Sequence, residues 1–289
     1  MALENLENGP RLLASEVVQE IVRRIVRDTS KMAVSFTPEL DVRPDLLGNF
    51  VGGDSYWSPQ GEPVTSASGD PLYPLMQIRC SEPSLPGYPT RGLLQFFIGT
   101  DVSYGRDLSA DYESEADNDN RCVRYIPEVP SVLSGGEIVR LPHIGTDSAL
   151  DLRTPFKSNF YGCALRPTLI EDPVSHECDE FEPAYESVIA EFDPAVIEAA
   201  EAAVGDLEQA VMDELNAVSP GSWFQMGGHP VFTQSDVRED YDDELVLLKM
   251  DSYDDVLMWG DSGCANFLIR REDLEQLDFS HVLYTWDCL

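Results

Sequence analysis

The chain has 289 residues, enough for one large domain or two ordinary ones, and 43% of them are hydrophobic, enough for a proper core. Its 53 acids against 19 lysines and arginines give a formal net charge of -34, a field that repels polyanions and argues against nucleic-acid binding by phosphate neutralisation. There is no run of about 18 apolar residues, so no membrane partner or span is expected. The first residues, MALENLENGPRLL, carry acids ahead of any apolar run and lack a basic leader, so no signal peptide is expected and the location is read as cytoplasmic. Six scattered cysteines without a CxxC pair then read as reduced, small buried hydrophobes.

In chain order, residues 10–28 place Leu12, Leu13, Val17, Val18, Ile21, Ile25 and Val26 at helical spacing. A strand over 32–40 follows, with Met32, Val34 and Phe36 alternating and Pro38 ending it. Residues 44–71 are rich in Gly, Pro and Ser and read as loop, leading to strands at 72–80 and 92–99. The acid-rich stretch 107–120 reads as a solvated loop and 121–130 as a strand. Residues 131–192 mix short strands with turns, EIVRLP and YESVIAEF being the ordered pieces.

One long helix is predicted from Pro194 to Val218. Asp193 is its N-cap, Val196, Ala200, Ala203, Leu207, Val211 and Leu215 form its apolar stripe, and Gly205 is a weak point in its middle. The last 70 residues give three apolar runs suited to adjacent antiparallel strands, with a short helix near REDLEQLDF.

A pattern occurs twice. FVGG at 50–53 and QMGG at 225–228 are each followed by a polar, aromatic and proline stretch, then by a strand-like run, LYPLMQIRC or ELVLLKMDS, then by a second, LLQFFIGTD or NFLIRRED. The offset shrinks from 175 residues at the glycine pairs to about 170 at the last runs, as in a duplicated unit whose loops have diverged. The expected fold is α+β and β-rich: two related antiparallel β halves, an N-terminal helix and one long helix between the halves. The divisions are a helix over 1–30, a first half over 31–192, a connecting helix over 193–220 and a second half over 221–289, in one compact domain overall.

The string GGHPVFTQSDVR, LVLLKMDS, MWGDSG with NFLI, and DFSHVLYTWDC resembles the bacterial YwqG family, also called the domain of unknown function 1963. GGDSYW, LLQFFIG and Tyr104-Gly105 resemble its N-terminal half, so the likeness covers most of 30–289, with the acidic stretch 107–120 and the insertion between Glu62 and Pro71 as departures. The resemblance implies a β-rich fold of two related halves. It also implies a distant kinship with programmed-cell-death-2-like proteins that hold nascent ribosomal proteins. It supplies no catalytic residue and no cofactor.

Candidate binding residues are Gly52, Gly53, Trp57, Gly227, Gly228, His229, Trp259 and Asp261. Each glycine pair reads either as a ligand cradle or as a turn needing positive φ. The aromatics Tyr56, Trp57, Trp223, Phe224 and Trp259 read either as anchors around a groove or as core. The acids read as solvated loop charge, although Asp251 and Asp261 fall inside the family-like motif and suit turn capping. His176 and Cys178 lack a second ligand pair at zinc spacing, so neither metal nor cofactor is expected. GDSGC at 260–264 lacks a protease context. The acidity fits either a basic partner or a general acidic bias, and Arg23, Arg24 and Arg27 form a local basic patch. Two functions follow as expectations. The first is a protein- or peptide-binding module of holding or immunity type, with a basic partner. The second is a hydrolase using Asp261, Asp251 or His229 in a pocket between the halves.

Overall fold

A computed structural model describes residues 4–53, 55–57, 64–66, 68–81, 83–106, 120–129, 138–140, 153–158, 160–238 and 243–289, with the side chains of 4–12, 55–57 and 138–140 outside that description. The acidic stretch 107–119 is outside it as well.

The first helix, α1 (Glu4–Thr29), buries Ala14, Val18, Ile21, Val22 and Ile25, the i, i+4, i+7 pattern that the sequence carries. Leu13 is 64% exposed and does not join that stripe. One residue, Ser30, leads to β1 (Lys31–Glu39), which pairs along its whole length with β8 (Cys163–Asp172). Pro38 lies inside β1 rather than ending it. β9 (Phe224–Gly227) flanks β1 only from Ala33 to Ser35, so the edge beside Pro38 carries no ladder that its missing N–H would break.

Ten strands form one antiparallel, nearly closed sheet. β9, β10 (Glu244–Asp251), β11 (Cys264–Arg270) and β12 (Leu283–Asp287) run outward from β1. β2 (Phe50–Val51), β4 (Tyr73–Arg79), β5 (Leu93–Ile98) and β6 (Arg121–Ile126) run outward from β8. β3 (Ser55–Trp57) and β7 (Ile138–Arg140) make a separate pair. The two arms face each other across one apolar core that includes Phe96, Phe267, Trp259 and Tyr284. Phe96 and Phe267 meet edge-to-face at 5.2 Å, and Tyr284 stacks on Phe267 at 4.7 Å. The arms are also tied by polar bonds: the Tyr88 hydroxyl donates to the Val246 carbonyl at 2.9 Å, and Trp286 Nε1 donates to the Ser103 carbonyl at 2.7 Å. The space between the arms is therefore occupied by this shared core.

Helices α2 (Phe181–Ile189), α3 (Pro194–Val204) and α4 (Leu207–Val218) pack with α1 around a second core of Val174, Cys178, Phe181, Val188, Ala200, Leu207, Val211 and Leu215. The single long helix expected over 193–218 is thus two. Gly205 closes α3 at φ 90, and the Asp206 carboxylate accepts from the Gln209 N–H to start α4. The Asp193 carboxylate caps α3 by accepting from the Ala195 N–H, with Pro194 in the first turn. β8 departs from the expectation of short strands over 131–192, because Arg166, Pro167, Thr168 and Glu171 hide its apolar alternation. YESVIAEF contributes to α2, and the short α5 (Arg271–Gln276) lies between β11 and β12.

Candidate functional site

Both glycine pairs sit where β2 and β9 end. Gly52, Gly53, Gly227 and Gly228 all have positive φ, at 61, 110, 76 and 71. A Cβ on Gly52 would lie 2.7 Å from the Phe160 ring, and one on Gly228 would run into Asp172 Oδ2 and Gln225 Nε2. The pairs hold the chain reversal and let side chains close over it.

His229 follows the second pair and is 3% exposed. Its backbone N–H donates to Asp172 Oδ2 at 2.8 Å, which also accepts from Gln225 Nε2 at 2.7 Å. The ring bridges two layers. Nε2 donates to the carbonyl of Thr29, the last residue of α1, at 2.8 Å, and Nδ1 lies 3.1 Å from Glu180 Oε2. Glu180 also meets Lys31 Nζ at 2.7 Å and Arg238 Nη2 at 2.9 Å. Burial alone would raise the Glu180 carboxyl, but the bonds from His229 and Lys31 outweigh it and hold the group well below the usual carboxylate range. The Arg238 guanidinium is forked against Asp236, with Nη2 at 2.6 Å from Oδ2 and Nε at 3.0 Å from Oδ1, and Nη2 donates to Cys178 Sγ at 3.1 Å.

Cys178, Glu180 and His229 bring ligand-type atoms within 4.8 Å of one another, a grouping across β9 and the segment before α2 that the sequence reading did not assemble. Arg238 Nη2 donates to two of the three, so positive charge is already supplied there. Burial and the Glu180 charge push the Cys178 thiol up to about 12, which keeps it a thiol. The group functions as a buried ionic joint between the helices and the sheet.

A different feature is open to solvent. On the outer face of the second arm, a pocket of about 580 Å³ is lined by residues including Glu177, Trp223, Thr233, Asp251, Tyr253 and Asp254, and no basic residue lines it among the described residues. Two cross-strand partners, Asp251 and Cys264, line it, and Cys264 pairs in turn with Asp287. The neighbouring rung is polar and buried: Ser35, Gln225, Lys249, Asn266 and Thr285 pair in succession across β1, β9, β10, β11 and β12. The 229–238 loop closes over this face, with the Val231 carbonyl accepting from Asn266 Nδ2 at 2.7 Å and Cys264 Sγ at 3.0 Å. Asp287 accepts from the N–H groups of Thr233 and Gln234, both at 3.0 Å, and pins the loop's far end.

Asp251 is the outlier of the pocket. Its N–H donates to the Trp223 carbonyl at 2.7 Å, but its Oδ1 is buried with no hydrogen-bond partner. Burial pushes its carboxyl up to about 6, against the opposing pull of Lys249 and with added repulsion from Glu177 and Asp172. Trp223 stands 49% exposed with Tyr253 tilted against it at 5.2 Å.

Residues 49–288 match the family described as Domain of unknown function (DUF1963). The chain belongs to this family. No curated protein matches it. The matched span begins after α1 and β1, yet β1 occupies the middle of the sheet, and Thr29 and Lys31 engage His229 and Glu180 from outside the span. The pocket's acids and aromatics all fall within the family span.

The residues expected to form one binding site are dispersed. Trp259 is fully buried against Tyr104 and Trp286. Asp261 is exposed and contributes its carbonyl to the Leu289 N–H. Trp57 lies on β3, and its side chain is outside the described residues. Gly52 and Gly53 are on the first arm, and Gly227, Gly228 and His229 serve the buried joint. The pocket instead selects Asp251, Glu177, Trp223 and Tyr253. The available signal was an aspartate two residues beyond a buried lysine on a strand, which puts both on one face. No helix among the described residues is long and apolar enough to cross a membrane.

Proposed function

We propose that this protein is a cytoplasmic binding module that holds a basic segment of a partner protein. The observation that carries the reading is the pocket wall: three acids and three aromatics with no base among the described residues that line it, open to solvent on a chain of net charge -34. Such a wall attracts a lysine- or arginine-bearing segment by charge and retains it by contact with aromatic faces. The likeness to the YwqG family, and through it the distant likeness to holding factors for nascent ribosomal proteins, supports the same reading. So does the placing of β2, β4, β5 and β6 on one side of β1 and β8 and of β9, β10, β11 and β12 on the other, which we read as two copies of one duplicated unit, each with a Gly-Gly pair at the end of its first strand.

The test is titration of an arginine- and lysine-rich decapeptide, followed by tryptophan fluorescence and calorimetry. Binding at 50 mM salt that weakens at least tenfold by 500 mM supports the module. Equal affinity for a glutamate-rich peptide of the same length defeats it.

One observation favours a hydrolase instead: a carboxyl held up at about 6 in a cleft. Asp251, His229 and Asp261 do not converge, however. The Ser252 hydroxyl is engaged by the Gly263 carbonyl at 2.7 Å and the Trp259 N–H at 2.9 Å, and burial with the Asp287 charge raises the Cys264 thiol. No activated nucleophile stands beside Asp251 among the described residues, so binding is the stronger reading. Turnover of an ester or amide panel that is abolished in Asp251→Asn would reverse that order.

A further inference from the structure

We infer that the pocket seats a single guanidinium, stacked on Trp223 with Asp251 as its counter-ion, and that seating it releases a proton. The inference rests on the basic-segment reading above and specifies the group that the pocket recognises.

Three features carry it. Asp251 stands in the pocket wall with Oδ1 buried and unpartnered, although a buried carboxylate oxygen is ordinarily hydrogen-bonded. Trp223 presents an open aromatic surface, held at an angle by Tyr253 at 5.2 Å, in the same wall. Asp254, three residues beyond Asp251, and Glu177, from a separate segment of chain, stand with Asp251 around the same cavity. A planar guanidinium stacks on an indole while its fork of donors reaches more than one carboxylate. A lysine ammonium is a compact, strongly hydrated charge that does neither well. Arginine is therefore favoured over lysine.

The proton follows from the surroundings of Asp251. Lys249 faces it from the same strand, Glu177 from the segment after β8, Asp172 from β8, and Cys264 and Asp287 from the paired strands β11 and β12. The lysine favours the charged carboxylate, and burial and the neighbouring acids oppose it, leaving the carboxyl near 6. A bound cation tips the balance to the charged form, so the site binds weakly below that pH and sheds a proton on binding near it.

The experiment uses the full chain and acetyl-Gly-Xaa-Gly-amide with Xaa as arginine, lysine or citrulline. Calorimetry at pH 6 in two buffers of different ionisation heat reads the proton count, with repeats at pH 5 and 7.5. The expected result is at least fivefold preference for arginine over lysine, no binding of citrulline, release of up to about half a proton at pH 6, and weaker binding at pH 5. Asp251→Asn is expected to abolish the proton release and weaken binding at least tenfold. Trp223→Ala, an exposed position, is expected to erase the arginine preference, with circular dichroism confirming that both variants fold. Equal binding of citrulline, or arginine binding without proton release, overturns the inference. If the decapeptide binds while the arginine tripeptide does not, or binds Asp251→Asn unchanged, this pocket assignment fails and the basic-segment reading stands. If neither peptide binds, both fail.

Discussion

Two carboxylates in this protein are displaced in opposite directions, and the difference separates structure from function. Glu180 is part-buried but surrounded by His229, Lys31 and Arg238, so its charge is stabilised. Its contribution to stability is present above the ordinary glutamate range and is lost as pH falls through the depressed folded value. Glu180→Gln is expected to cost about 3 kcal/mol at pH 7, because it leaves the buried Arg238 short of one partner, and much less in strong acid. Urea denaturation at pH 7 and pH 3 checks the size and the narrowing. Asp251 is part-buried, with its Oδ1 buried and without a hydrogen-bond partner, and its carboxyl is raised to about 6. A raised carboxyl makes the folded protein bind more protons than the unfolded chain between about 4 and 6, so this group's contribution declines as pH rises through that window. Relative to Asp251→Asn, the wild type is expected to lose about 1–3 kcal/mol between pH 4 and pH 7.5. An unchanged difference between the two proteins across that range would show that Asp251 is not strained. Asp251 is thus expected to destabilise the fold at neutral pH, as a group kept for a ligand does.

At the scale of elements, glycines set where strands and helices stop, but not at equal cost. Gly205 has φ 90 and open space around its Cβ position, so Gly205→Ala meets only backbone strain, about 1 kcal/mol. Gly228 has φ 71 and faces Asp172 and Gln225 directly, so Gly228→Ala adds a collision with the bond that holds His229. It is expected to cost more than about 3 kcal/mol. Thermal unfolding of the two variants compares them, and equal losses would mean that the turn after β9 relaxes freely. The helix break at Gly205 and Asp206 also shows why a continuous apolar stripe over 194–218 does not guarantee one helix. Leu207, Val211 and Leu215 keep their spacing within α4, while Val196 at 40% exposure falls away from the core on α3.

At the scale of the whole molecule, the two arms are parts of one folding unit because they share a core. Phe267→Ala removes a ring wedged between Phe96 and Tyr284 and is expected to cost about 3–5 kcal/mol. Tryptophan fluorescence and far-UV circular dichroism are expected to give coincident transitions in that variant. Separate transitions would mean that the arms unfold independently. The charge of -34 acts on the same scale: salt screens the self-repulsion of the folded chain, so moderate salt is expected to raise thermal stability while weakening the binding of basic peptides.

The sequence by itself determined the β-rich class, the first helix, the strands that bear the repeated apolar runs, the caps at Asp193 and Pro194, and the family likeness. These features are written in local periodicity and turn chemistry, which neighbours in sequence decide. It did not determine that Pro38 sits within a paired strand, because that depends on where β9 ends. Nor did it reveal β8, whose charged and proline residues are tolerated by long pairing with β1. The candidate site was the least legible. The glycine pairs, His229 and Trp259 stand out in sequence, and folding commits them to turns, a buried joint and core. Asp251, Glu177 and Trp223 come from separate segments that only strand pairing and a closing loop bring to one pocket. Only the tertiary structure decides whether a buried carboxylate finds partners, because desolvation and hydrogen bonding are set by whatever the fold places beside it: cations for Glu180, and for Asp251 a single nearby lysine and a cavity.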